Sequence, residues 1–203
     1  MKMQRIDVRD IAPKLWKNGA GVTREIAVGP ARSNENAAGD FDWRISVAEV
    51  ECDAPFSAFP GIDRCIVLLR GAGMLLKARD GSIEHRLDRA CEPFRFAGEA
   101  ALDATLFNGP CSDFNVMTKR GKYRCEIDVH HHNAQVTGGD ITMLLCVDGE
   151  WLVESDHSND RNVLTPMLAL LSREPLQRIK LRPSTPNPKA ALLTVRLCHD
   201  RPR

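Results

Sequence analysis

Histidine is missing from the first 84 residues, and the first imidazole in the chain is His85. A transition-metal centre in that stretch would have to do without its commonest nitrogen ligand. Long apolar runs are missing too. The longest, such as residues 66–69 and 143–147, fall far short of the ~20 residues a membrane helix needs. Residues 1–20 carry charges throughout, so no secretory signal is expected. Charge imbalance is absent: 28 Lys+Arg against 27 Asp+Glu leave a net charge of +1. That balance argues against broad electrostatic binding to nucleic acid or to an anionic membrane. The seven cysteines (52, 65, 91, 111, 125, 146 and 198) are odd in number and show no CxxC spacing. Reduced, buried thiols in a cytoplasmic protein are expected, not a disulfide framework. No G-x-S-x-G elbow and no Walker spacing occur, which removes two common nucleophile and phosphate devices.

What remains is a globular composition, 43% hydrophobic and 27% charged over 203 residues. That length suits one compact unit or two small ones fused, with a sizeable core. Short β-like segments dominate. Residues 25–28 and 41–50 alternate in strand fashion; in the second, Trp43, Ile45 and Val47 take one face and Arg44, Ser46, Ala48 and Val50 the other. Residues 65–69 form a continuous apolar run, and 71–77, 82–87, 94–96, 102–107, 113–117 and 191–198 continue the strand pattern. Asp80-Gly81 predicts one hairpin, and Asp148-Gly149, between residues 141–147 and 151–153, a second. Thr165 and Pro166 predict the start of a short helix over 167–172. A faint internal echo pairs the two Asp-Gly turns, and Glu92-Pro93-Phe94 with Glu174-Pro175-Leu176, which favours two similar β-modules. Residues 31–40 read as an exposed loop, and 182–189, with three prolines, as a stiff connection. Many short strands with regular turns predict a sandwich or barrel.

Three stretches carry more specific information: Trp16-Lys17-Asn18-Gly19-Ala20-Gly21-Val22-Thr23-Arg24-Glu25-Ile26; Phe41-Asp42-Trp43-Arg44-Ile45-Ser46-Val47-Ala48 with residues 55–64; and residues 113–121. Together, over about residues 5–125, they resemble the HutD/Ves family of cupin-fold proteins. The resemblance implies an all-β double-stranded β-helix (jelly roll) of RmlC-like cupin type, with two cupin-like modules packed as one bicupin unit, residues 1–120 and 121–203. Some members are encoded with histidine-degradation enzymes and are thought to act there as accessory or regulatory proteins. Others are described as stress-related, and no settled catalytic activity attaches to the family.

Metal cupins carry G-x5-H-x-H-x3–4-E-x6-G and then P-x-G-x2-H-x3-N. Laid on this chain through Gly71, the first motif puts Arg64 in the glutamate slot and Ser57 and Phe59 in the histidine slots, and the second puts Ala101 in the third. A cation in the carboxylate slot repels a metal, so no metal and no cofactor are expected. A cavity of this kind suits a small molecule instead. Arg44 and Arg64 are the candidate carboxylate anchors, since guanidinium forks bind carboxylates bidentately. Lys17, Asn18 and Thr23 add polar groups on a tight turn. Ser57 and Phe59 would line the mouth, with Phe56 nearby. Asn115 alternates with Met117 on one strand face, and Glu25 is the nearby acid. His130-His131-His132 reads as a strand end or exposed loop, because consecutive extended residues point in alternating directions.

The leading expectation is therefore a non-catalytic binder of a small carboxylate, of which urocanate or formylglutamate is the first class by family analogy. No catalytic residue is assigned. The alternative is a metal-independent isomerase, lyase or hydrolase, with Glu25 or His85 as base, an acid/base pair of Glu25 and Asp63, or a Cys–His pair such as Cys52 or Cys65 with His85. A third reading is a scaffold whose cavity is filled by Phe59 and Trp43. Cupin sheets often pair, so a homodimer is compatible with each.

Overall fold

The computed structural model describes residues 3–30, 41–155 and 161–200; the loop expected at 31–40 lies outside them. In chain order the strands are β1 (Gln4–Asp7), β2 (Lys14–Leu15), β3 (Gly21–Val28), β4 (Trp43–Val50), β5 (Ala54–Pro55), β6 (Ile62–Arg70), β7 (Met74–Ala78), β8 (Glu84–Leu87), β9 (Pro93–Ala97), β10 (Leu102–Leu106) and β11 (Cys111–Lys119). They continue as β12 (Tyr123–His130), β13 (Ala134–Thr137), β14 (Ile141–Asp148), β15 (Trp151–Ser155), β16 (Arg161–Leu164), β17 (Leu168–Ser172), β18 (Arg178–Pro183) and β19 (Ala191–His199). The all-β expectation holds for the described residues, whose only helical element is one turn at Val8–Asp10.

The chain divides into two compact units. One is Ile11–Tyr123; the other combines residues 3–10 with Arg124–Asp200. The boundary expected at residue 120 thus moves by a few residues, and the first strand changes sides. The reason is pairing: β1 runs antiparallel to β17, from Gln4 opposite Leu171 to Asp7 opposite Leu168. In the first unit the sheets run β2-β3-β4-β11-β6-β9 and β5-β10-β7-β8; in the second, β1-β17-β14-β19-β12 and β13-β18-β15-β16. Adding eight to each strand number of β4-β11-β6-β9 and β5-β10-β7-β8 gives the second unit's order. The two units share an eight-strand topology.

This correspondence corrects the internal echo. Asp80-Gly81 does close a hairpin, between β7 and β8. Asp148-Gly149 does not: β14 pairs with β17 and β19, while β15 pairs with β16 and β18 in the other sheet. It is a corner where the chain changes sheets, and its counterpart is Gly71–Gly73 between β6 and β7. Gly73 there has φ +85°, and a Cβ on it would sit 1.9 Å from the Leu87 carbonyl oxygen, so only glycine fits. The Glu-Pro pair fails as well, because Pro93 opens β9 whereas Glu174 follows β17.

The helix expected at 167–172 is strand β17. Its five residues are all buried, and it sits between β14 and β1. A strand enclosed on both faces loses the alternation that identifies it, and Leu-Ala-Leu-Leu reads equally as a helical turn. Met167 enters it at φ +69°, which stops helical continuation from Pro166.

Candidate functional site

The first unit encloses a cavity of about 510 Å³. Its principal wall is a ladder on one face of three adjacent strands, β4, β11 and β6. Register places Arg44 and Arg64 on either side of Met117, Ser46 and Ile66 beside Asn115, and Ala48 and Leu68 beside Asp113. Period-two alternation turns these positions inward together. The backbones of Arg44 and Arg64 are two strand spacings apart, roughly 10 Å. Ile66 and Leu68 join the apolar cluster with Met74, Leu76 and Leu102. The opposite face of the wall, with Trp43, Ile45, Phe114 and Val116, is also buried.

Arg64 sits in an aromatic box. Its guanidinium carbon lies 5.3, 5.6 and 4.9 Å from the ring centres of Phe56, Phe59 and Phe96. One Nη donates to the Ser57 carbonyl oxygen at 3.3 Å, and the buried Nε has no partner. Burial pushes its pKa down to about 10; Asp113 opposes that and Arg44 adds to it, so the group stays cationic at neutral pH. Arg44 brings Nε to 2.9 Å from Glu25 Oε2, an ion contact not aligned as a hydrogen bond.

The β2–β3 turn covers another side. Trp16 Nε1 donates to Thr23 Oγ1 at 2.7 Å, and the indole meets Phe56 edge-on at 6.3 Å. Asn18 Oδ1 accepts from the Ala20 amide at 3.2 Å, and Gly19 supplies the positive φ of 71°. Lys14, Leu15 and Lys17 expose themselves along this rim, and Ser57 and Ala58 lie on the other.

Of the nine residues expected from sequence, the cavity lining brings together Lys17, Asn18, Thr23, Arg44, Ser57, Phe59, Arg64 and Asn115. Glu25 is the exception. It stands beside the lining, drawn off by Arg44 and by Lys14 Nζ at 3.8 Å. Ala101 is exposed, its carbonyl taken by the Arg79 amide, so it holds no slot in the cavity. β11 fills the wall instead, and it contributes the residue that sequence reasoning passed over, Asp113. The residue is 1% exposed, and neither carboxyl oxygen has a hydrogen-bond partner. Burial raises its pKa to about 7, against the pull of Arg64. The signal was available: Asp113 continues the alternation of Asn115 and Met117.

The groups weighed for catalysis do not assemble. His85 lies outside the lining and stacks on Phe94, with centroids 3.7 Å apart. Asp63 is exposed and paired with Arg120 at 2.7 Å. Burial lifts the Cys65 thiol to about 11, which suppresses its thiolate. Trp43 occupies the face of β4 opposite Arg44 and does not fill the cavity.

A divalent metal does not fit this donor set. The lining offers two guanidiniums, two ammonium groups and one carboxylate, with no imidazole or thiol. Among the described residues no three His, Cys, Asp or Glu side chains group as ligands. The histidine triplet is a strand end, as expected. His130 Nε2 contacts Thr194 Oγ1 at 3.0 Å, and His131 Nδ1 meets the Ala190 carbonyl oxygen at 2.9 Å.

Comparison with known proteins places this geometry. A family model described as HutD matches residues 8–186, well past residue 125 where the recognisable stretches end. The chain is 36% identical over 150 residues to Protein Ves of Citrobacter koseri, covering 73% of this chain and 75% of that one. A conserved protein of unknown function from Pseudomonas aeruginosa superimposes with a TM-score of 0.83 at 28% identity, covering 98% of this chain and all of the other. A cupin 2 conserved barrel domain protein from Leptotrichia buccalis, at 11% identity, shares the fold with a TM-score of 0.58 over 97% and 98% of the two chains. The fold is a cupin β-sandwich.

Proposed function

This chain belongs to the HutD family, and we propose that it is a metal-free receptor for a small organic carboxylate, acting in an accessory or regulatory role. One observation carries the reading. Arg44 and Arg64 flank Met117 on one inward face, over a cavity whose lining holds four cations and one acid. Arg64 lines the cavity enclosed by three rings, and its Nε has no hydrogen-bond partner. A desolvated guanidinium facing space is a strong, oriented site for a carboxylate. Family analogy makes intermediates of histidine breakdown, urocanate or formylglutamate, the first acids to try. The shared strand order supports reading the two units as a duplicated cupin-like module. Free cysteines, four of them buried, support a cytoplasmic setting. Among the described residues no helix is long and apolar enough to cross a membrane.

Thermal unfolding with a panel of such acids tests the proposal. A ligand at a hundredfold its dissociation constant adds about 2.7 kcal/mol and should raise Tm by about 5 °C or more. Arg44→Gln and Arg64→Gln should each weaken binding by about 10–100-fold in calorimetry. The absence of any shift at millimolar acid would overturn it.

One observation favours a second reading. Asp113, with a carboxyl pKa of about 7 inside the cavity, has the chemistry of a general acid or base, which Glu25 and His85 lack the placement for. A metal-independent isomerase, lyase or hydrolase would then show turnover that survives chelator and is abolished in Asp113→Asn.

A further inference from the structure

The ligand chemistry can be narrowed from what the wall leaves unpaired. Two residues of the cavity lining hold three buried acceptor atoms without partners: Asp113 Oδ1, Asp113 Oδ2 and Asn115 Oδ1. Their residues are 1% and 6% exposed, so bulk water does not serve them. Of the charged groups on the two flanking strands, Arg44 of β4 and Arg64 of β6 line the cavity, whereas Glu49, Asp63 and Arg70 do not; Arg44 is already engaged by Glu25, and Arg64 by the Ser57 carbonyl. Buried polar groups in folded proteins are nearly always satisfied, and exceptions mark places where something else binds. A plain organic anion would meet the arginines. It would leave all three acceptors orphaned. A ligand that also carries an N–H group brings a donor to them.

We infer that the ligand is a small acid that also carries an N–H donor, with its carboxylate at the Arg44–Arg64 end of the ladder and its N–H accepted by Asp113 and Asn115. This rests on the carboxylate-receptor reading and narrows it. The ladder from Met117 to Asp113 spans four residue steps of β11, roughly 13 Å between backbones, and less between side-chain ends. The donor therefore belongs on the same small molecule as the carboxylate, a few bonds away. N-acylated amino acids and acids carrying a neutral azole N–H have that form. Monofunctional fatty acids and simple dicarboxylates do not.

Matched pairs that differ only in the donor supply the test. Urocanate against 3-(oxazol-4-yl)acrylate replaces a ring N–H by oxygen; N-acetylglycine against levulinate replaces an amide N–H by CH₂. Calorimetry on the whole chain should give at least about tenfold tighter binding for the donor-bearing member of whichever pair binds. In Asp113→Val the preference should collapse to within about twofold, with the donor-free acid binding no worse than before. The wild-type ratio stands as the decisive measurement where that variant does not fold. Equal binding of both members by the wild type overturns this inference and leaves the receptor reading intact. No binding of any acid overturns both.

Discussion

A carboxyl enclosed without a partner costs the fold more as it ionises, and Asp113 should make that cost visible. In the unfolded chain the group titrates near 3.8; in the folded chain burial moves it to about 7. Between those values the folded state keeps a proton that the unfolded state has released. Stability contributed by this residue is therefore full below pH ~4, falls as pH rises toward ~7, and is flat above. At 1.36 kcal/mol per unit, the loss is on the order of 4 kcal/mol. Asp113→Asn removes the titration. Denaturant unfolding should show the variant gaining on the wild type by a few kcal/mol between pH 5 and pH 8. A gap that stays constant with pH would refute the assignment. Glu99, whose carboxyl is held down to about 2 by hydrogen bonds from Arg120, acts in the opposite direction at lower pH, below this window.

At the scale of strands and turns, two glycines of similar backbone separate conformational strain from collision. Gly81 at φ +76° has nothing near its absent Cβ, whereas Gly73 at φ +85° would press one onto the Leu87 carbonyl. Gly81→Ala should cost about 1 kcal/mol, the ordinary penalty of the left-handed region. Gly73→Ala should cost at least about 2 kcal/mol more, because the β6–β7 corner must move away from β8. Equal Tm losses for the two would remove the collision from the account. The same elements show what the sequence could disclose. The β7–β8 hairpin was legible because a two-sided alternation brackets Asp80-Gly81. Arg44 was legible because inward positions on β4 recur every second residue, and Arg64 because the cupin motif counted back from Gly71 puts it in the glutamate slot of a recognisable family stretch. β17 was not legible, since burial on both faces erases periodicity. The β14–β15 corner passed for a hairpin because the same Asp-Gly chemistry serves both, and only pairing partners distinguish them. Asp113 was missed for an electrostatic reason: nothing in a cationic pocket asks for a buried acid until its missing partners are seen.

The two units share a strand order and have opposite interiors, which bears on how many ligands one chain holds. In the second unit Trp151, fully buried, packs with Leu144, Val153, Leu170, Ile179, Leu181 and Leu192. The arginine of that unit's β19, Arg196, is also neutralised, by Asp128 at 2.6 Å and Glu126 at 3.0 Å. Arg64, by contrast, contacts rings and one carbonyl. A guanidinium already held by two carboxylates has little left for an organic anion. Calorimetry should therefore return one site per chain. Arg196→Gln should leave affinity within about twofold of wild type, whereas Arg64→Gln loses at least about tenfold. Trp151→Ala should instead cost about 3–5 kcal/mol of stability through the space it empties. A stoichiometry of two, or equal losses from the two arginine variants, would mean that the second module also receives ligand and that its filled core is not what decides occupancy.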